Sequence, residues 1–252
     1  MAAEPPAQDP WRGLRRSTPA RIGLGRTGDA LPMAAVLDLQ LAHARARDAV
    51  HAPLVVAAIS AELDGLPLCA VRSLAADRGV YLRRPDLGRR LDPADLALLP
   101  HGSWDAVFVI ADGLSATAAQ RHAASVLRAV LAKLPGWQVA PVVIATQGRV
   151  ALGDEIGGAL GATLCAVLIG ERPGLSAADS LGIYLTYAPR LGRRDSERNC
   201  ISNIHPGDGL SYEVAAAKLA WLMTEARHRR LTGVALKDDV PALEGPHQPV
   251  IG

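Results

Sequence analysis

The sequence predicts an α/β protein, with a doubly wound, mostly parallel sheet in a C-terminal domain and a smaller helical N-terminal domain before it. Two observations carry this prediction. Short apolar runs recur from about residue 105 onward, and stretches with helical character lie between them. The runs are apolar without alternation, as expected for strands buried on both faces of a parallel sheet.

The length and composition fit a folded chain. Its 252 residues are 49% hydrophobic and 21% charged, which is enough for one large domain or two small ones. We predict a flexible N-terminus at residues 1–10, a helical domain at 11–100, an α/β domain at 101–235 and a loose tail at 236–252. The tail is suggested by its prolines and glycines.

The first third of the chain contains two helix signals. Pro32 suits the first turn of a helix that runs to about His51. Asp92 followed by Pro93 begins another, because aspartate caps a helix and proline is favoured at its first position. Neither segment is apolar enough to fold alone, so both are expected to pack on the larger domain.

The remaining elements follow from the apolar runs and their polar boundaries. Glycine with polar residues ends three of the runs, and Thr117 with Gln120 fits a capping box. The predicted strands are 106–110, 139–145, 163–169, 182–188 and 199–204, and the predicted helices are 118–134, 154–160 and 212–230.

The predicted ligand site lies at one edge of this sheet. In an open parallel sheet, ligands bind at the carboxyl ends of the strands. Four polar segments fall there, and three of them contain glycine: residues 112–113, 148–150, 170–172 and 200–205. Glu171 follows a buried strand directly, so its carboxylate is expected either to contact a ligand or subunit or to pair with Arg172. For His205, a structural hydrogen bond is favoured over catalysis.

Two other sequence motifs give weaker evidence for a functional site. Gly23, Gly25 and Gly28 match Gly-x-Gly-x-x-Gly, but a dinucleotide site needs a buried strand before it and a helix beginning in the loop, so a glycine-rich turn is favoured. Gly-Leu-Ser occurs three times without the second glycine of a hydrolase elbow. We therefore interpret Ser115, Ser176 and Ser211 as helix N-caps.

The composition of the chain argues against several classes of protein. A net charge of +2, with four Trp, four Tyr and one Phe, provides neither a basic field nor stacking platforms for nucleic acid. No apolar run approaches the ~18–20 residues of a membrane span. The three cysteines are scattered, and the N-terminus lacks a secretory pattern, so we expect a soluble, cytoplasmic protein.

Several segments together resemble one known family, the small (light) subunit of ethanolamine ammonia-lyase. The resemblance runs in order from about Arg16 to Leu231. The segments that carry it are Arg16–Arg21 with Gly25–Gly28, Tyr81–Arg90, Gly170–Gly174 and Cys200–His205.

The resemblance implies an adenosylcobalamin-dependent radical enzyme that converts ethanolamine to acetaldehyde and ammonia. It implies a large subunit that carries the substrate chemistry, a small subunit that closes the cobalamin site, and a higher oligomer of heterodimers. The family's cobalamin contacts fall here on Val150, Glu171 and Cys200, and no catalytic or metal-binding residue is expected in this chain.

Two further expectations concern the cofactor and the location. Some cobalamin enzymes ligate cobalt with histidine from Asp-x-His-x-x-Gly, but Asn203 and Asp208 replace its first and last residues here. The cofactor is therefore expected to be base-on. Family members packaged in microcompartments can carry a long N-terminal extension, whereas about ten residues precede the first motif here, which favours the cytoplasm. Two alternatives remain: a self-sufficient oxidoreductase using Gly23–Gly28, and a cobalamin carrier without a catalytic partner.

Overall fold

A six-stranded mixed sheet forms the centre of the molecule, in the order β1-β3-β2-β4-β5-β6. The structure is a computed structural model that describes residues 10–18 and 20–238. The strands are β1 (Leu68–Arg72), β2 (Trp104–Ala111), β3 (Val142–Thr146), β4 (Ala162–Gly170), β5 (Leu181–Tyr187) and β6 (Arg198–Ile204). Strands β1 to β4 are parallel, and β5 and β6 each run antiparallel to the preceding strand.

Helices cover both faces of this sheet. The helices in the described residues are α1 (Arg12–Ser17), α2 (Met33–His51), α3 (Val56–Glu62), α4 (Arg78–Arg83), α5 (Pro93–Leu96), α6 (Ala116–Leu131), α7 (Leu152–Leu160) and α8 (Tyr212–Arg229). Phe108 and Ile110 of β2 pack with α6 and α8, whereas Val107 and Val109 pack with α7. Because β2 is buried on both faces, its apolar run needs no alternation. The predicted doubly wound α/β fold is confirmed.

Two of the three Gly-Leu-Ser segments precede a helix that their serine caps, and the third does not. Ser115 accepts a hydrogen bond from the amide of Ala118 and caps α6, and Ser211 accepts one from Val214 and caps α8. The prediction for Ser176 is wrong, because no helix follows it in the loop between β4 and β5. Helix α6 also begins two residues earlier than the Thr117–Gln120 capping box predicted, with Ser115 rather than Thr117 as its N-cap.

Strand β1 is the main difference from the sequence prediction. Residues 68–72 fall in the segment predicted to be helical, yet they pair in parallel with β3 at the edge of the sheet. The division of the chain near residue 100 stays a prediction. Residues 1–9 of the predicted flexible N-terminus and residues 239–252 of the predicted tail lie outside the described residues.

Candidate functional site

One edge of the sheet gathers the four predicted polar segments. Ala111, Ala145 and Ile169 lie side by side at the ends of β2, β3 and β4. Strand β6 runs antiparallel to β5 and therefore parallel to β4, and Ile204 pairs with Leu181, which pairs with Gly170. The carboxyl ends of β2, β3, β4 and β6 thus share this edge, which we call the rim.

Backbone contacts hold two loops of the rim together. The amide of Leu114 donates a hydrogen bond of 3.0 Å to the carbonyl of Gly170. A Cβ atom on Gly113 would lie 2.2 Å from that carbonyl oxygen, and one on Gly170 would lie 1.9 Å from the carbonyl oxygen of Ser115. Gly113 also has φ +56°. Only glycine allows this approach, so these two positions fix the distance between the loops.

Asp112 joins the loops after β2 and β3. Its carboxylate accepts hydrogen bonds from the amides of Gln147 and Gly148, both at 2.8 Å, and one oxygen lies 3.6 Å from Arg78 Nη1. Burial raises the pKa of Asp112, while the two amides and Arg78 act in the opposite direction. We therefore assign this buried aspartate a structural role at the rim.

An open cavity of about 470 Å³ lies at the rim and brings two of the three predicted site residues together. Val150 and Glu171 both line it. Val150 also packs on the apolar core beneath α7, so its position is fixed from behind. The lining includes Tyr81, Gly113, Leu114, Arg149, Val150, Ile169, Gly170, Glu171, Arg172, Tyr184 and Ser202.

Protein donors already orient the carboxylate of Glu171. One oxygen accepts a hydrogen bond from Ser202 Oγ at 2.5 Å, and the other accepts from Ser180 Oγ at 2.5 Å and from the amide of Asn203 at 3.2 Å. A Cβ atom on Gly182 would lie 2.9 Å from Glu171 Oε1, so glycine makes room for this carboxylate. Ionised carboxylates accept about four hydrogen bonds, which leaves capacity for a ligand. Among the described residues, Glu171 does not pair with Arg172.

Cys200, the third predicted site residue, lies in β6 opposite Tyr184. Tyr184 lines the cavity, and its hydroxyl is close enough to the Cys200 thiol to affect its pKa, whereas Cys200 itself is not part of the lining. The residue is exposed as a whole, but partial burial of its sulfur raises the pKa of the Cys200 thiol. Burial is the main cause that raises the pKa of Tyr184 to about 12, and the nearby Cys200 contributes in the same direction. Both groups are therefore protonated at neutral pH, and Cys200 is a small, uncharged residue here.

His205 lies at the rim but outside this cavity. Its Nε2 is 3.1 Å from Asn203 Oδ1, and its Nδ1 is 2.9 Å from the carbonyl oxygen of Pro206. It lines a separate cleft of about 910 Å³ beside helix α2. The ring is therefore hydrogen-bonded within its own loop, and the preference for a structural over a catalytic role of His205 stays a prediction.

Three residues at the site received no role from the sequence. Tyr81 of α4 is buried, and the guanidinium carbons of Arg78 and Arg149 lie 4.7 and 4.6 Å from its ring centroid. Burial raises the pKa of Tyr81 to about 12. The signals in the sequence were Tyr81 at the start of a resembling segment and Arg149 within the polar segment 148–150. Neither gave a reason to place Tyr81 beside Val150.

The described residues contain no group of three His, Cys, Asp or Glu side chains arranged to hold a metal ion. Within that same part of the chain, no helix has the length and apolar character needed to cross a membrane. The Gly23–Gly28 turn follows helix α1 rather than a strand, and α2 begins only at Met33. The structural context that a dinucleotide-binding motif requires is therefore missing.

Comparisons with known proteins decide the family. A family model described as "Ethanolamine ammonia-lyase light chain" matches residues 8–237. The chain belongs to this family. The small subunit of ethanolamine ammonia-lyase from Azotobacter vinelandii is 54% identical over 96% of this chain and 93% of its own length. The small subunit from Rhodopseudomonas palustris is 55% identical over 95% of this chain and 94% of its own length.

Family membership confirms the resemblance seen in the sequence and makes this light chain a subunit of an ammonia-lyase. Family membership also argues against one alternative, a self-sufficient oxidoreductase. The related small subunit from Pseudomonas aeruginosa, 54% identical over 95% of this chain, carries the same name, which does not fit a self-sufficient oxidoreductase.

Proposed function

We propose that this light chain forms one wall of an adenosylcobalamin site in an ethanolamine ammonia-lyase, which converts ethanolamine to acetaldehyde and ammonia. One observation carries the proposal. Val150 and Glu171, which come from the ends of two different strands, line the same open cavity. Cys200 lies next to it through Tyr184.

The residues at the rim fit this cofactor. Corrin is a broad ring fringed with amides, which needs apolar floor and scattered hydrogen-bonding groups. Val150 supplies apolar surface, Glu171 is an oriented acceptor for amide or ribose donors, and the small Cys200 allows close approach. When bound, adenosylcobalamin supplies the radical chemistry. The roles of these residues are to bind and orient the cofactor and to exclude water from one side.

The proposal requires a second protein. The cavity is open to solvent, so this chain leaves much of such a large ligand uncovered. A large subunit is the natural second wall, since the relatives are named small subunits. We propose that the large subunit holds ethanolamine, that heterodimers assemble into a higher oligomer, and that this chain is not a free cobalamin carrier.

The test is co-expression of this chain with the large subunit, followed by co-purification and a visible absorption spectrum after addition of adenosylcobalamin. We expect a stable complex with bound cofactor and ammonia release from ethanolamine. A complex that binds no cobalamin would contradict the proposal. A chain that binds cobalamin fully without the partner would favour the carrier alternative.

We further propose that the bound cofactor is base-on, because the sequence Asn203 to Asp208 lacks the histidine-ligand motif and His205 is hydrogen-bonded locally. Electron paramagnetic resonance of the cobalt(II) form of the cofactor reports the axial nitrogen. Uniform ¹⁵N labelling of the protein should leave the axial splitting unchanged, since the nitrogen belongs to the cofactor. An altered splitting would mean that a protein histidine ligates cobalt.

A further inference from the structure

Arg149 is held rigidly beside Val150 at the end of β3. Its amide donates a hydrogen bond of 2.8 Å to the carbonyl of Gly88, and its Nη2 donates one of 3.1 Å to the carbonyl of Tyr81. The guanidinium carbon lies 4.6 Å from the Tyr81 ring centroid. Stacking on a buried ring fixes the plane of the guanidinium.

The charge of Arg149 has no partner within the part of the chain that the structure describes. No carboxylate pairs with it there, and its Nε is buried without a hydrogen-bond partner. Arg78, which also lies over the Tyr81 ring, differs, because its Nη1 donates to the carbonyl of Gly113 and lies near the Asp112 carboxylate. Of the two guanidinium groups at the Tyr81 ring, that of Arg78 lies near a carboxylate and that of Arg149 does not.

The surroundings of Arg149 make the cavity attractive to an anion. The one carboxylate in the lining, that of Glu171, accepts hydrogen bonds from two serine hydroxyls and a backbone amide and forms no ion pair with Arg149 in the described part of the chain. Arg172, in the same lining, adds a second positive charge. A half-buried cation without a counter-ion is costly, and a planar guanidinium matches the paired oxygens of a phosphate group.

We propose that Arg149 binds a phosphodiester, and that this is the phosphodiester in the nucleotide loop of the cofactor. This inference rests on the proposed function. The side-chain amides of cobalamin are neutral, so the phosphodiester is the part of the ligand that carries the complementary charge. The cavity that Arg149 lines is the one in which Val150 and Glu171 meet, so one ligand can contact all three residues.

The experiment compares two cofactors in the complex assembled with the large subunit. Adenosylcobalamin contains the phosphodiester, whereas adenosylcobinamide lacks the whole nucleotide loop. Dissociation constants are measured by absorption titration for the wild type, Arg149→Gln and Arg149→Lys. The matched control is Arg83→Gln, an exposed arginine of the same helix as Tyr81 that does not line the cavity.

We expect Arg149→Gln to weaken adenosylcobalamin binding by about 10- to 150-fold, the range for a charge-assisted hydrogen bond, and to leave adenosylcobinamide binding unchanged. Arg149→Lys should recover part of the loss, because it keeps the charge but not the planar fork. Arg83→Gln should match the wild type for both cofactors.

Three outcomes would overturn the inference. Equal losses for both cofactors would mean that Arg149 only supports Tyr81 and the rim. Unchanged affinities, with calorimetric binding of inorganic phosphate to the wild type but not to Arg149→Gln, would assign the site to free phosphate. A wild-type complex that binds neither cofactor would remove the proposed function as well, which the other two outcomes leave intact.

Discussion

At the scale of single residues, the site is organised before any ligand arrives. Glu171 accepts hydrogen bonds from Ser180, Ser202 and the amide of Asn203, which belong to β6 and to the loop before β5. A carboxylate held by three donors has lost most of its rotational freedom during folding. Binding then does not have to order this side chain, which favours affinity.

The first prediction concerns Glu171 in the assembled complex. Glu171→Ala should weaken cobalamin binding by about 5- to 150-fold, the range for stranding donors in a partly dry cleft at about 1–3 kcal/mol. Glu171→Gln should recover part of this, because the amide oxygen still accepts a hydrogen bond and a serine hydroxyl can rotate to accept from the amide nitrogen. The measurement is cofactor titration, with the KM for ethanolamine expected to stay constant.

The control for this prediction is Ser202→Ala, which removes one donor and leaves the carboxylate with Ser180 and Asn203. It should have a smaller effect than Glu171→Ala. Unchanged cofactor affinity in an intact Glu171→Ala complex would reduce Glu171 to a structural link between β6 and the loop before β5.

Sequence reasoning located part of this site and missed the rest for a physical reason. Val150 and Glu171 follow buried strands, and parallel strands end at a common edge, so their proximity could be predicted. Tyr81 reaches the cavity from α4, more than sixty residues before Val150 in the chain. No periodicity encodes that packing, and an isolated tyrosine between arginines has no distinctive pattern.

At the scale of elements, the two strands that complete the sheet are tied to α7 by a buried ion pair. Arg198 at the start of β6 donates to both carboxylate oxygens of Asp154 in α7, at 2.6 and 2.7 Å. Their side chains are 2% and 3% exposed. Arg198 also donates to Thr186 Oγ1 at 2.9 Å, so one side chain links α7, β5 and β6.

The second prediction is that Arg198→Met lowers the free energy of unfolding by about 3–5 kcal/mol, because it leaves Asp154 as a buried, unpaired charge. Urea denaturation followed by circular dichroism measures the change. Arg198→Met combined with Asp154→Leu should be more stable than Arg198→Met alone, since no charge is then left buried. Arg229→Met, which breaks the more exposed pair with Glu225, is the control and should cost under about 1 kcal/mol. Equal losses for Arg198→Met and Arg229→Met would contradict this account.

The prediction of secondary structure from the sequence missed strand β1, whose apolar pattern is weak. Strands β2 to β6 and helix α8 were expected close to their observed bounds, because each is a long apolar or periodic segment with polar boundaries. Strand β1 lies at the edge of the sheet, where it is only partly buried, whereas β3, which also has five residues, is almost fully buried. An edge strand needs less apolar character than a central one, so Leu68–Arg72 did not stand out from a helical context.

At the scale of the whole molecule, the candidate site is incomplete. The cavity at the rim is open, and the residues around it form one surface rather than an enclosed pocket. Ligand-binding pockets usually bury most of the surface of their ligand. If the ligand is the proposed cobalamin, an isolated chain would therefore supply only part of its binding energy.

The third prediction follows from this geometry. The purified chain alone should show no ammonia release from ethanolamine and should bind adenosylcobalamin much more weakly than the complex with the large subunit. Equilibrium dialysis of both preparations at matched concentration measures the difference. Measurable turnover by the isolated chain would show that the catalytic groups are here after all.

The two reversals of direction at β5 and β6 have a consequence for how the molecule can meet a second protein. A parallel strand is added through a crossover, which lays a helix on the sheet and makes the domain thicker. The segments at residues 171–180 and 188–197 contain no α-helix, yet after two turns β6 again points the same way as β4. Strands β5 and β6 therefore extend the sheet without adding a helix between them. Cys200 and Ser202 are left exposed there, next to the rim. An open, exposed surface of this kind fits the proposed corrin ring held between two proteins better than a small molecule enclosed by one.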